Sequence, residues 1–325
     1  MRLPARTCGG KVVPVPEGLS APGTLRISVD LKRTFIDLLP APLVRTFAAP
    51  YIAGKGVEAG VAKADEVHGR DGLHSTVDLL GEEVFQREDI EATVQVYFRM
   101  IEALKGRDHA SISLKPTQLG IHDSEAYCQD NLRRILAAAA PHGLPVTLDM
   151  EDRHFTDATL RMYRALRAEF DTFGIVLQSR LFRTDQDIRD LPKGRCRVRI
   201  CIGIYTEPAE VSLQDKPAMK EKLFQQVQTL LDLGHYPEIA THDEALVRRC
   251  IAHLDARGVA RDAYEFQMLL GVPRAALQRE IVQRGQIVRL YVPFAEEWKY
   301  AIHYLKRRLA HNPAMALLVM RNLLG

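Results

Sequence analysis

The chain has 325 residues, 46% hydrophobic and 26% charged, and its 44 Lys and Arg against 41 Asp and Glu leave a formal net charge of +3. That composition suits an ordinary globular protein and excludes a disordered, collagenous or coiled-coil architecture, while the balanced charge offers no basic patch for nucleic acid. No apolar run approaches the roughly 18 residues of a transmembrane helix.

The five cysteines, Cys8, Cys128, Cys196, Cys201 and Cys250, are odd in number and form no CxxC pair. They point to a reducing, cytoplasmic compartment and exclude a disulfide framework or a zinc ribbon. The N-terminus carries Arg2, Arg6 and Lys11 but no apolar segment, so no secretory signal is expected.

In chain order, residues 1–24 are rich in Gly and Pro and read as a flexible arm. Residues 28–68 carry helical patches, Val29 to Leu39 and Leu43 to Ala48, interrupted by Pro40, Pro42 and Pro50. Residues 1–68 are therefore expected to form an N-terminal arm with helices, and 69–325 a second, larger unit.

From about residue 70, short apolar runs alternate with longer amphipathic ones. The short runs read as eight strands: His74–Leu80, Ser111–Leu114, Pro145–Leu148, Gly174–Leu177, Arg197–Ile202, Pro237–Ala240, Tyr264–Met268 and Ile287–Tyr291. Between them, apolar residues recur at helical spacing: Ile90, Val94, Phe98, Ile101 and Leu104; Met219, Leu223, Val227 and Leu230; Leu246, Cys250, Ile251 and Leu254. Eight strand–helix alternations over about 250 residues predict a (β/α)8 barrel. A doubly wound open sheet would want a Gly-rich phosphate turn after its first strand, and Leu80-Gly81-Glu82-Glu83 provides none.

Chemistry in such a barrel gathers where strands end. The polar residues there are Asp78, Lys115, Asp149 with Glu151, Gln178 with Arg180, Tyr205, Thr241 with His242, Gln267 and Tyr291.

Nine ordered motifs between about residues 70 and 315 resemble the proline dehydrogenase family. They are Asp78-Leu79-Leu80-Gly81-Glu82, Ser113-Leu114-Lys115-Pro116-Thr117, Leu148-Asp149-Met150-Glu151, Val176-Leu177-Gln178 and Arg199-Ile200-Cys201-Ile202-Gly203-Ile204-Tyr205. Ala240-Thr241-His242-Asp243, Tyr264 to Leu269, Arg289-Leu290-Tyr291-Val292-Pro293 and Arg307-Arg308-Leu309 complete the set.

The resemblance implies an FAD-dependent, monofunctional bacterial enzyme that oxidises L-proline to Δ1-pyrroline-5-carboxylate and passes electrons to a quinone. It implies that Arg307 and Arg308 clamp the substrate carboxylate, that Asp149 and Lys115 form an ion pair at the amine end, and that Tyr291 and Leu269 wall the proline ring. Gln178, Arg199, Gly203, Tyr205, Thr241 and His242 are the implied FAD contacts. A cytoplasmic protein with a peripheral contact at the inner membrane would suit a quinone acceptor. The stretch 28–60, which pairs Lys32, Arg33 and Arg45 with apolar faces, would make that contact unless it packs against the barrel. The chain stops soon after the paired arginines, so no fused aldehyde dehydrogenase domain is expected.

The residue chemistry suits these roles. A small amino-acid zwitterion offers a carboxylate for two guanidinium groups and an ammonium for a carboxylate. Hydride transfer needs the substrate carbon held against a flavin, so catalysis rests on orientation and electrostatics. Blander readings stand beside these: Arg307 and Arg308 as a solvated basic face, Asp149 as a helix N-cap, Lys115 as a surface lysine, His242 as a strand-end histidine and Tyr291 as core. No metal-ligand spacing is found.

The chain departs from the family pattern at several places. Ile202 stands where a lysine is usual, Thr206 where an aromatic is common, Met150 where a small residue is expected, Ala295 for a glycine and His311 for a glutamate. The stretch from Trp298 to Arg307 is about three residues longer than expected. Rival readings keep the flavin but take hydroxyproline or another cyclic imino acid, make Lys115 the Schiff-base nucleophile of a barrel lyase, or leave a non-catalytic amino-acid-binding barrel.

Overall fold

A computed structural model describes residues 50–311, without the side chains of His303 and of residues 306–311. The expected arm and its apolar patches from Val29 to Ala48 lie outside the described residues.

Eight parallel strands close into a barrel in sequence order: β1 (His74–Leu79), β2 (Ala110–Leu114), β3 (Val146–Leu148), β4 (Phe173–Gln178), β5 (Arg197–Cys201), β6 (Tyr236–Ala240), β7 (Glu265–Leu269) and β8 (Ile287–Phe294). The seam closes between β1 and β8, with Val77 opposite Val292. The (β/α)8 expectation holds.

Helices lie between the strands: α1 (Val57–Asp71) precedes β1, followed by α2 (Arg87–Leu104), α3 (Glu125–Ala139), α4 (Arg153–Arg167), α5 (Thr184–Arg189), α6 (Lys216–Asp232), α7 (Glu244–Ala256), α8 (Ala275–Gln283) and α9 (Trp298–His311). Ser124, Asp152, Asp215 and Asp243 each cap a helix by accepting a hydrogen bond from a first-turn backbone N–H.

Strand side chains alternate between the two faces of the wall. Ile112 and Leu114, Val198 and Ile200, Phe266 and Met268, Val288 and Leu290 join one apolar core with Leu223, Val227 and Leu230 of α6. The residues between them, Ser111, Ser113, Arg199, Gln267 and Arg289 among them, are buried and polar. The core is thus the layer between wall and helices, and the inside of the barrel is a polar column.

Three details differ from the sequence expectation. β8 continues past Tyr291 to Phe294 because Leu79 still offers it a pairing partner. In α2 the buried stripe runs through Tyr97 and Met100, while Phe98 is only half-buried and lies beneath the Arg134 guanidinium at 5.7 Å. Helix α1 runs through position 68 to Asp71, where Gly72 in the left-handed conformation (φ 67°) ends it.

The seam between β1 and β8 is covered by α1. Val57, Val61, Ala64 and Val67 share the main core with Val77, Val292 and Phe294. Gly60 packs so closely that a Cβ there would lie 3.0 Å from both Val77 and Phe294. Helix α9 belongs to a separate apolar cluster in which Ala301, Tyr304 and Leu305 meet Tyr51, Ile52, Leu80 and Ala295. No described helix is long and apolar enough to cross a membrane.

Candidate active site

Four charged or hydroxyl side chains converge at the C-terminal end of the barrel. Lys115 follows β2, and its extended backbone (φ −118°, ψ 129°) is what a residue before proline adopts. Its Nζ donates to Asp78 Oδ1 on β1. The same ammonium lies 3.3 Å from Asp149 Oδ2 after β3 and 3.2 Å from the Tyr291 hydroxyl on β8. Tyr291 donates to Asp149 Oδ2 at 2.7 Å. On the other carboxylate oxygen, Asp149 accepts from Arg199 Nη1 at 2.7 Å and from Ser113 Oγ at 3.1 Å.

A second tier lies beneath. Arg199 Nε donates to Gln267 Oε1 at 2.6 Å, and the Gln267 amide donates to Glu238 and Glu265. Arg289 closes a two-bond pair on Glu265 at 2.7 and 3.1 Å, and Arg197 pairs with Glu238. Charges of both signs therefore alternate down the axis, each buried group with partners, which is the condition for ion pairs to persist away from water.

The electrostatics follow from one ammonium facing two carboxylates. Burial alone would push Lys115 down, but Asp78 and Asp149 outweigh it and hold the ammonium well above its ordinary value. Burial also acts against Asp149, yet Lys115, Arg199 and the Tyr291 hydroxyl bring it below the usual carboxylate range. Among the described residues Asp78 has no arginine partner, and burial pushes its carboxyl up despite Lys115. Burial likewise raises Tyr291 well above the ordinary phenol value, so it is a neutral donor. A lysine that keeps its proton this firmly is a poor Schiff-base nucleophile, which counts against the lyase alternative.

The blander readings fail at two positions. The cap of α4 is Asp152, not Asp149. Lys115 is buried rather than on the surface.

The other expected residues form flanks. Leu269 ends β7 opposite Tyr291 in register, so both face one end of the barrel. Gln178 ends β4 and donates from Nε2 to the Glu151 carbonyl at 2.8 Å. Gly203 follows β5 with φ +100°, and a Cβ there would lie 2.2 Å from Gln178 Oε1. Tyr205 offers its carbonyl to Arg180 Nη1. Thr241 and His242 sit together after β6, where the Thr241 hydroxyl accepts from Asp243 N at 3.2 Å and His242 Nε2 accepts from Leu269 N at 3.4 Å. The backbone of Arg307 and Arg308 belongs to α9, but their side chains lie outside the described residues.

Beside this cluster opens a cleft of about 430 Å3, bounded by Gly81, Glu151, Phe155, Tyr205 and, from α9, Lys299 and Tyr300. Glu151 reaches it buried, with Thr117 donating to one oxygen from N (2.9 Å) and to the other from Oγ1 (2.7 Å). Burial pushes the Glu151 carboxyl up to about 7.

A flavin fits these groups on two observations. Gln178 Oε1 and Arg199 Nη2 are buried without a partner among the described residues, an acceptor and a donor left over at the strand ends. Gly203 leaves open a close backbone approach beside one of them. Two thiols are unsuited to redox work: desolvation raises the half-buried Cys201 to about 11 and the buried Cys250 to about 12.

Sequence reasoning passed over the depth of the network. Ser113, Glu238, Glu265 and Arg289 all belong to it, and Asp78 carries the shortest contact to Lys115. Their signal was a two-residue polar rhythm inside apolar runs, as in Ser111-x-Ser113-x-Lys115 and Glu265-x-Gln267.

Comparison with known proteins agrees with the geometry. The family model described as proline dehydrogenase matches residues 61–200 and 210–321. Proline dehydrogenase 1 of Bacillus subtilis is 31% identical over 293 residues, 90% of this chain and 95% of that protein. The proline dehydrogenase of Deinococcus radiodurans is 33% identical over 299 residues with the same coverage. Among solved structures, proline utilization A of Bdellovibrio bacteriovorus superposes with a TM-score of 0.74 at 23% identity, over 81% of this chain and 32% of that longer one, and so supports the fold. With the family model spanning most of the barrel and relatives above 30% identity along nearly the whole chain, this protein belongs to the proline dehydrogenase family.

Proposed function

We propose that this chain oxidises L-proline to Δ1-pyrroline-5-carboxylate with bound FAD and passes the electrons to a quinone. The observation that carries the reading is the Asp78–Lys115–Asp149–Tyr291 cluster at the mouth of a barrel of this family, with Arg199 beneath it. Gln178, Arg199, Gly203, Tyr205, Thr241 and His242 would hold the cofactor. FAD supplies the two-electron acceptor.

The chain's own residues supply orientation and charge. Lys115 and Arg199 balance Asp78 and Asp149, so a zwitterionic substrate meets a mouth with no net charge from these four groups. Tyr291 is fixed through its hydroxyl on Asp149, which sets its ring as a rigid wall with Leu269 opposite it in register. Arg307 and Arg308, on the helix whose Tyr300 packs over Gly81, would take the carboxylate. Lys115 and Arg199 keep their protons at neutral pH, so they hold fixed positive charge beside Asp149 and are not the acceptors of the amine proton.

The test is the visible spectrum of the purified protein under anaerobic titration. Flavin bands that bleach with L-proline support the reading. Bands that bleach only with hydroxyproline would shift the substrate, and a protein that binds no flavin when FAD is added would overturn it. Electron transfer is read separately by reduction of a soluble quinone, and membrane contact by co-sedimentation with anionic vesicles.

A further inference from the structure

We propose that Arg180 holds the diphosphate of the cofactor, supplying from the end of β4 the cation that Ile202 does not supply from the end of β5. The inference rests on the flavin reading above and goes beyond it by assigning a residue.

Arg180 is half-buried, two residues past Gln178. Its backbone is tied on both sides: its N–H donates to the Ile202 carbonyl at 3.4 Å, and its own carbonyl accepts from Leu213 N at 2.8 Å. The side chain runs over Gly203, where a Cβ would come 3.2 Å from Arg180 Cδ, and Nη1 ends on the Tyr205 carbonyl. Nε is buried without a partner, and among the described residues no carboxylate pairs with this guanidinium. Arg183, three residues on, pairs with both Asp157 and Asp187.

A guanidinium anchored by one neutral carbonyl, with a buried N–H to spare and no counter-ion, is a receptor for an anion. Its planar fork suits phosphate oxygens. Placement narrows the anion further. Arg180 stands beside Gln178 Oε1 and Gly203, the two features that admit a flavin. The neighbouring cleft beyond Tyr205 is lined by Glu82, Glu83 and Asp152 against one lysine, Lys299, which already pairs with Glu297, so its acidic side disfavours a diphosphate there. Ile202 offers only an aliphatic side chain.

The experiment measures displacement of FAD from the full-chain holoenzyme by riboflavin, which lacks the diphosphate. The readout is the riboflavin-to-FAD ratio that releases half of the FAD, with the bound and released flavins separated and quantified by chromatography. Loss of one charge-assisted contact is expected to lower that ratio about ten-fold or more in Arg180→Gln, leaving riboflavin affinity unchanged. Adding Ile202→Lys to the variant should recover most of the loss.

A ratio within about two-fold of wild type, or equal weakening of FAD and riboflavin, would overturn the role of Arg180 while leaving the flavin reading intact. Wild-type protein that binds neither flavin would overturn the functional reading, and this inference with it.

Discussion

The Tyr291 hydroxyl donates to Asp149 Oδ2 at 2.7 Å, joining β8 to the end of β3 across the barrel mouth. The bond fixes the aromatic ring and also helps to keep Asp149 ionised. Tyr291→Phe removes the donor while keeping the ring. Steady-state kinetics should show kcat/KM for L-proline lowered about ten- to a hundred-fold, with a loss of stability of only about 1–3 kcal/mol because Lys115 still faces the same carboxylate oxygen. An unchanged kcat/KM would mean that the hydroxyl serves packing alone.

Among the described residues Lys115 is the only cation in contact with Asp78, and it reaches Asp149 as well. Lys115→Met leaves a buried carboxylate without its counter-ion. Thermal and denaturant unfolding should show a loss of about 3–5 kcal/mol. Because burial raises Asp78, that variant should recover stability as pH falls and Asp78 takes up a proton. A loss that does not shrink on acidification would contradict the pairing.

Glu151 titrates near neutrality, pushed up by burial from 4.5 to about 7. The folded protein binds this proton more tightly than the unfolded chain. The contribution of Glu151 to stability is therefore largest below about pH 4.5 and falls as pH rises through 7, by about 3 kcal/mol in all. Melting curves between pH 5 and 8 should fall less steeply for Glu151→Gln than for wild type. Parallel slopes would show that the carboxyl is not raised.

Gly203 meets two demands at once, a φ of +100° and a 2.2 Å approach between any added Cβ and Gln178 Oε1. Gly203→Ala should displace the Gln178 amide and destabilise the fold by more than about 1 kcal/mol. The protein should purify with a lower flavin-to-protein ratio, measured from absorbance at 450 and 280 nm. Full flavin content in that variant would show that the amide is not needed.

The barrel was legible because period-two and period-3.6 apolar patterns alternate without interruption from His74 onward. Met219, Leu223, Val227 and Leu230 are all buried as their spacing required. The strand-end cluster was legible in part. Lys115, Asp149 and Tyr291 stand out as polar residues closing apolar runs, whereas Glu238 and Glu265 sit inside strands where a pattern reader expects an outward, solvated side chain. What reverses them is barrel closure, which turns one face of every strand toward an interior filled by paired polar side chains. The position of α1 on the β1–β8 seam was not legible either, since nothing local in Val57–Asp71 says which strand pair it will cover.

That placement of α1 separates two jobs. In a regular barrel the last helix of the chain covers the final seam, so its sequence is constrained by the wall it supports. Here the first helix covers the seam, and α9 rests on its own small cluster with Tyr51, Ile52 and Leu80. Substitutions on the packed face of α9 are therefore felt first in that cluster rather than in the β1–β8 seam. A chain built this way can vary in its C-terminal helix while the β1–β8 seam, held by α1, stays closed.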